Sequence, residues 1–245
     1  MVWLNKLLGL GRRDVVQAKT QIYQHETGRL FVVGDVHGCY DQLMQQLAAV
    51  KFNFNQDLLV AVGDLVDRGA DSLKCLNLVD QPWFKAIRGN HEEMCILSKV
   101  DRHMADLHVQ HGGEWFYALD PIQREQVIQK CVALPIILEI EYQTQCYGFV
   151  HADIHKNQWD IFKKSVQSNH ELAVWGRGRI RNKRPELYSK IQGIDLVFLG
   201  HTVVDCVTKR ENCYFLDTGC VFGKELTLVE ISPNISIEQQ VKVVE

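Results

Sequence analysis

The 245-residue chain predicts an α/β fold with layered sheets and helices. Three observations carry this. Three short apolar runs, each followed within two residues by glycine, alternate with segments of helical spacing, which argues for parallel strand pairing. The second half is instead crowded with strand-like runs. No linker, repeat or low-complexity tract divides the chain.

Residues 30–33 are continuously apolar and end at Gly34, as a buried strand does. Over 41–50, Leu43, Met44, Leu47 and Val50 recur at helical spacing, with Asp41 as N-cap. Residues 58–62 form a second strand ending in Gly63, and 72–79 a helix. Residues 83–87 form a third strand, and a helix follows over 91–99. The stretch 100–133 is helical and polar, broken at Gly112-Gly113. Strands then recur at 136–141, 146–150, 196–199, 213–216, 225–231 and 235–243. Few helical segments separate the last of these, which predicts a second, more antiparallel sheet. Residues 1–25 are set apart as an N-terminal extension, and 26–245 as a single domain. The first ten residues are apolar with one lysine, then come Arg12 and Arg13. A signal peptide places its charges first and ends in small residues. This segment reads as a short amphipathic helix lying on the domain, with an interfacial anchor as the alternative.

Hydrophobic residues make up 46% and charged residues 23%, as in ordinary globular proteins. A net charge of -3 and a pI near 6.4 argue against nucleic acid as a partner. The eight cysteines form no C-x-x-C pair and read as reduced thiols. No apolar stretch approaches the ~18 residues that span a bilayer. A cytoplasmic protein without integral membrane association is expected.

The chemistry concentrates in three segments: Gly-Asp-Val-His-Gly at 34–38, Gly-Asp-Leu-Val-Asp-Arg-Gly at 63–69, and Arg-Gly-Asn-His-Glu at 88–92. In open α/β sheets, ligands sit beyond the carboxyl ends of strands. Asp35, Asp64 and Asn90 fall there, each after a glycine that lets the backbone turn sharply. His151 and His201 also follow strands. Carboxylate, amide oxygen and imidazole together suit manganese, iron or zinc. Two such ions about 3.5–4 Å apart clamp a phosphate and activate a water.

These motifs resemble the calcineurin-like metallophosphoesterases, and within them the phosphoprotein phosphatase family in its bacterial and phage branch. The resemblance runs over residues 30–231. It implies two β-sheets sandwiched between helices (α/β/β/α). It implies a metal-dependent protein serine/threonine phosphatase acting by direct attack of a metal-activated water, with phosphotyrosine left open as a further substrate. Two divalent ions are implied, manganese foremost, with iron or zinc also compatible. Phosphorylated proteins or peptides are the implied partners. Carried over by motif, Asp35 and His37 bind the first metal, Asp64 bridges, and Asn90, His151 and His201 complete the second. Arg68 and Arg177 contact the phosphate; His91 protonates the leaving alkoxide, oriented by Asp67. Arg88 and Glu92 support the motif.

The symmetrical dinucleoside tetraphosphatases of the same superfamily also resemble this chain, including Asp217-Thr218-Gly219-Cys220. Their pattern has Ala where this chain has Asp67, and Asp where it has Glu92. A catalytically dead binding module would have lost ligands, and none is missing. Arg179, Arg181, Lys183 and Arg184 read as a weak electrostatic attractant. His103, His108 and His111 do not share one helical face and read as surface or cap histidines rather than a third metal site. Gly112-Gly113-Glu114-Trp115 resembles a segment of the phage-type enzymes and reads as a rim of the site or a helix break.

Overall fold

Strands that are apolar on both faces need cover on both sides, and here two sheets cover each other. A computed structural model describes residues 20–233 and 241–243. Eleven strands are seen among these: β1 (Thr20–His25), β2 (Leu30–Val33), β3 (Leu58–Ala61), β4 (Phe84–Ala86), β5 (Ile137–Tyr142), β6 (Gln145–Val150), β7 (Leu196–Leu199), β8 (Thr208–Arg210), β9 (Cys213–Phe215), β10 (Leu228–Ile231) and β11 (Val241–Val243). One sheet has the order β11-β10-β2-β3-β4, the other β1-β5-β6-β7-β9-β8. Along β2 the pleat sends Leu30 and Val32 into the core between the sheets, and Phe31 and Val33 toward helices. Opposite them, Leu138, Ile140, Phe149, Leu196 and Phe198 complete the central core.

Helices α1 (Tyr40–Ala49), α2 (Ser72–Asn77), α3 (Asn90–Leu97), α4 (Arg102–Gln110), α5 (Glu114–Ala118) and α6 (Pro121–Ala133) occupy the first half. Leu43, Leu47, Cys75, Leu76, Phe116 and Val127 from this group share a core with the outer face of the five-stranded sheet. The helices α7 (Trp159–Ser168), α8 (Glu171–Trp175) and α9 (Gly178–Arg181) cover the other sheet through Trp159, Phe162, Ala173 and Ile180. The order is helix, sheet, sheet, helix, as the family resemblance implies. Helix α6 starts with Pro121 behind Asp120, whose carboxylate accepts from the Ile122 and Gln123 N–H groups while Gln123 accepts from the Asp120 N–H.

Several expectations are corrected. Asp41 does not cap α1; the capping position is Cys39, and Asp41 lies in the first turn. The last strands do not build the second sheet: β10 pairs antiparallel with β2 and β11 with β10, so the C-terminal part closes the first sheet. The second sheet is mixed, with β1–β5, β6–β7 and β7–β9 parallel, and β5–β6 and β8–β9 antiparallel. Strand β1, which falls within the segment read as an extension, pairs along its whole length with β5. The amphipathic helix read over the first ten residues lies outside the described residues. Among the described residues no helix is long and apolar enough to cross a membrane.

Candidate metal centre and phosphate site

Parallel pairing of β2, β3 and β4 puts their carboxyl ends side by side, and with them the three motif loops. In the facing sheet β6 and β7 are also parallel neighbours, so His151 and His201 emerge together. Asp35, His37, Asp64, Asn90, His91, His151 and His201 are all buried. The loops are stitched to one another. The Val36 and His37 N–H groups donate to the Asp64 carbonyl (3.1 and 2.8 Å). The His91 N–H donates to Asp64 Oδ1 (3.0 Å), and the His201 N–H to Asp35 Oδ2 (2.9 Å). Glu92, wholly buried, accepts from the N–H groups of Asp64, Leu65 and Gly89 at 2.8–3.0 Å. It therefore holds the second and third motifs together and touches no open space.

Backbone strain collects here. Five of the nine described non-glycine residues at positive φ are His37, Asp64, Asp67, Arg68 and His201. Each costs of order 1–3 kcal/mol and persists only where surrounding structure enforces it.

The donor set fits two divalent ions. Two clusters of ligand atoms, His37–Asp64–His91 and Asp64–His151–His201, share Asp64. Nδ1 of His37 bonds the Val66 carbonyl (2.8 Å) and Nδ1 of His151 bonds the Val62 carbonyl (2.7 Å), which leaves each Nε2 lone pair facing inward. His151 Nε2 then meets Asn90 Oδ1 at 3.0 Å and Asp64 Oδ1 at 3.4 Å. An imidazole lone pair and two oxygens converge there, an arrangement that needs a proton or a cation. His201 Nδ1 lies 2.8 Å from Asn90 Oδ1, and its buried Nε2 has no hydrogen-bond partner. The nearby Trp175 carbonyl favours the charged ring without meeting hydrogen-bond geometry. A Cβ at Gly89 would fall 2.1 Å from Asp64 Oδ1, and one at Gly200 1.9 Å from Asp35 Oδ1, so the carboxylates occupy space only glycine leaves.

The electrostatics agree. Burial, then the charges of Asp217 and Asp64, push the Asp35 carboxyl well above its usual range. Burial and the Asp64 charge push Glu92 up to about 7. Burial alone would lower His151, but the Asp64 charge and bond and the Asp35 charge lift it to about 10. Burial drops His37 to about 3, and burial with the His151 charge drops His201 to about 3. Crowded carboxylates beside the neutral imidazoles of His37 and His201, with a His151 that takes up a proton where no cation stands, form a cation site. Calcineurin-like phosphoesterases use a dinuclear divalent centre, and the two clusters that share Asp64 are candidate ligands for one.

Around it stand the two arginines expected to contact phosphate. Arg68 is exposed, its guanidinium 5.4 Å over the Phe222 ring and its Nη1 donating to His37 Nε2. Arg177 is half-buried and interacts electrostatically with Asp64 and His201. Asp153 sets its loop by accepting from the Gly178 and Arg179 N–H groups (2.8 and 3.3 Å). Asp67 Oδ2 accepts from His91 Nδ1 at 2.6 Å, and His91 Nε2 lies 3.9 Å from Asp64 Oδ2.

Nine of the ten expected residues are thus joined by direct contacts, and Arg177 by its field. Asp35 stands apart from the two ligand clusters and enters through the His201 backbone. Sequence reasoning missed Asp153, and it misread His108, which is fully buried and donates to Asp67 at 3.0 Å. Nothing in a five-residue spacing signals that contact. His103 and His111 are exposed.

The calcineurin-like phosphoesterase family pattern matches residues 28–205. The serine/threonine-protein phosphatase 1 of Salmonella typhimurium is 38% identical over 218 residues, covering 86% of this chain and 97% of that protein. A symmetrical bis(5'-nucleosyl)-tetraphosphatase of Actinobacillus pleuropneumoniae is 52% identical over 253 aligned positions, covering 81% and 94%. A solved structure described as a putative diadenosine tetraphosphatase superposes with TM-score 0.62 at 24% identity, covering 93% and 98%. With these motifs, this α/β/β/α order and this ligand cluster, the chain belongs to the calcineurin-like phosphoesterase family.

Proposed function

We propose that the chain is a protein serine/threonine phosphatase that hydrolyses phosphomonoesters of phosphorylated proteins or peptides. The observation that carries this is the Asp67–His91 pair at 2.6 Å beside the ligand cluster. A serine alkoxide is a poor leaving group and needs a proton as it departs. His91 offers its Nε2 face to the site while Asp67 fixes the ring through Nδ1.

Asp35 and His37 would hold one ion, Asn90, His151 and His201 the other, and Asp64 both. Two divalent ions held there, manganese foremost, would supply Lewis acidity toward a water and the phosphate charge. Arg68 and Arg177 grip the remaining phosphate oxygens, since guanidinium forks match them in geometry and charge. Phe222 holds the Arg68 guanidinium by a cation–π contact until phosphate arrives. Glu92 keeps the Asp64 and Gly89 backbones fixed, so the ligands do not have to reorganise on binding.

The second reading is a symmetrical dinucleoside tetraphosphatase, favoured by the 52% identity to the Actinobacillus protein of that name. Asp67 and Glu92 favour the phosphatase, because the tetraphosphatase pattern carries Ala and Asp there. The test is manganese-dependent turnover of a phosphoserine peptide, a phosphotyrosine peptide, an aryl phosphate and a dinucleoside tetraphosphate. Turnover of the phosphoserine peptide is expected. Exclusive turnover of the dinucleotide sinks the proposal.

A further inference from the structure

The turn between α4 and α5 packs directly onto the second motif, and the proposed function does not account for it. Gly112 accepts from the Arg68 N–H (3.0 Å), at φ +93, and a Cβ there would lie 2.7 Å from the Arg68 nitrogen. A Cβ on Gly113 would enter the His108 ring at 2.2 Å. The two glycines thus let the turn close on Asp67 and Arg68. Each flanking helix then delivers one donor to the same oxygen. His108 Nε2, from α4, lies 3.0 Å from Asp67 Oδ1, and Trp115 Nε1, from α5, lies 2.6 Å from it.

We propose that His108 and Trp115 are positioning residues, which clamp Asp67 Oδ1 so that Oδ2 stays aligned on His91 Nδ1. The proposal rests on reading His91 as the general acid. Asp67 is fully buried, and an ionised carboxylate there costs several kcal/mol unless its oxygens are satisfied. Three donors, from α3, α4 and α5, fix the carboxylate plane. Ser72 Oγ meanwhile accepts from the Asp67 backbone N–H (2.9 Å). Burial works against the Asp67 charge, but the bonds from His108 and His91 outweigh it and hold its pKa below the usual range. The clamp has its own support: His108 Nδ1 faces the Tyr117 hydroxyl at 3.3 Å, which bonds the Ala105 carbonyl at 3.2 Å. Removing either donor leaves Oδ1 short of a partner in a buried setting and frees the carboxylate to turn away from His91. The glycine pair and Trp115 are then explained together, as the fold that brings the clamp to the second motif.

The test uses the zinc-loaded protein and the variants H108F, W115F and H108Q. The proton on His91 Nδ1 is followed by NMR, with D67N and H91N identifying its signal. The signal should broaden or move upfield in H108F and W115F and return toward wild type in H108Q, which restores a donor. An unchanged signal in both H108F and W115F overturns the clamp. In parallel, kcat for a phosphoserine peptide should fall about 10-fold or more in H108F and W115F, and less for an aryl phosphate whose leaving group needs little protonation. H108F added to H91N should cost nothing further, because both act through one unit. Additive losses in that double variant also overturn it. If H91N itself hurts both substrates equally, the general-acid reading fails while the NMR arm still decides the clamp. If H108F does not fold, W115F carries the same comparison.

Discussion

Asp64 is the residue with the most claims on it. Its carbonyl binds the first motif, its Oδ1 binds the third, and its carboxylate is common to both ligand clusters. D64A should therefore lose metal and activity together. Elemental analysis checks this, and two ions per chain retained in the variant refute the bridging role. His91 depends on a finer argument, because Asp67 fixes its ring through Nδ1 while its Nε2 lies 3.9 Å from Asp64 Oδ2. H91N should impair phosphoserine hydrolysis by about 100-fold or more and aryl phosphate hydrolysis by less, since general acids contribute on that order. Equal losses on both substrates count against His91 as the acid. At this scale the sequence is legible where a residue type is chemically unusual for its place, as with Asp35, Asn90 or His201 after a strand. It is illegible for His108, whose meaning comes from Asp67, 41 residues away in the chain. A buried histidine and a surface one look alike until their partners are known.

Among the elements, local pattern decides what forms and long-range pairing decides what it does. The apolar runs at β2, β3 and β7 show in the sequence because both faces are buried. Strands β1 and β8 do not show, since β1 is largely exposed and β8 is Thr-Lys-Arg. They exist because β5 and β9 offer open edges. Phe198 of β7 shows how much the central layer matters: it is fully buried and stacks on Phe149 at 5.5 Å. F198A should cost about 3–5 kcal/mol from lost transfer energy and the cavity left behind. Urea unfolding checks this, as a lower midpoint at unchanged slope. A shift worth under about 1 kcal/mol means the sheets close over the gap, against the packing argued here.

Across the whole molecule, the five-stranded sheet is fastened far from the chemistry. Arg29, before β2, bonds Asp57, before β3, through its backbone N–H (2.8 Å), Nε (3.2 Å) and Nη2 (2.7 Å). The Asn53 N–H adds a fourth bond (2.9 Å). Burial works against the Asp57 charge, but these bonds hold its carboxyl below the usual value. A depressed folded pKa contributes stability above the ordinary carboxylate range and loses it as pH falls through the folded value. D57N should therefore be less stable than wild type by about 1–3 kcal/mol at neutral pH, and the gap should narrow in acid. Unfolding at both pH values checks this; a gap independent of pH rules out the charge as its source.

The sequence by itself determined the α/β class and the order of the six elements from β2 to α3, and it singled out ten candidate site residues and the kind of ion they suit. The class and the order follow from periodicity, the kind of ion from donor chemistry, and the full residue set from the family resemblance of the motifs, all of which are read locally. Only the tertiary structure decided that the last strands complete the first sheet, that His151 and His201 cross from the facing sheet to meet Asn90, and that a glycine turn clamps Asp67. These depend on pairing between segments far apart in the chain, and the free energy of such pairing lies in surfaces the two partners bury together.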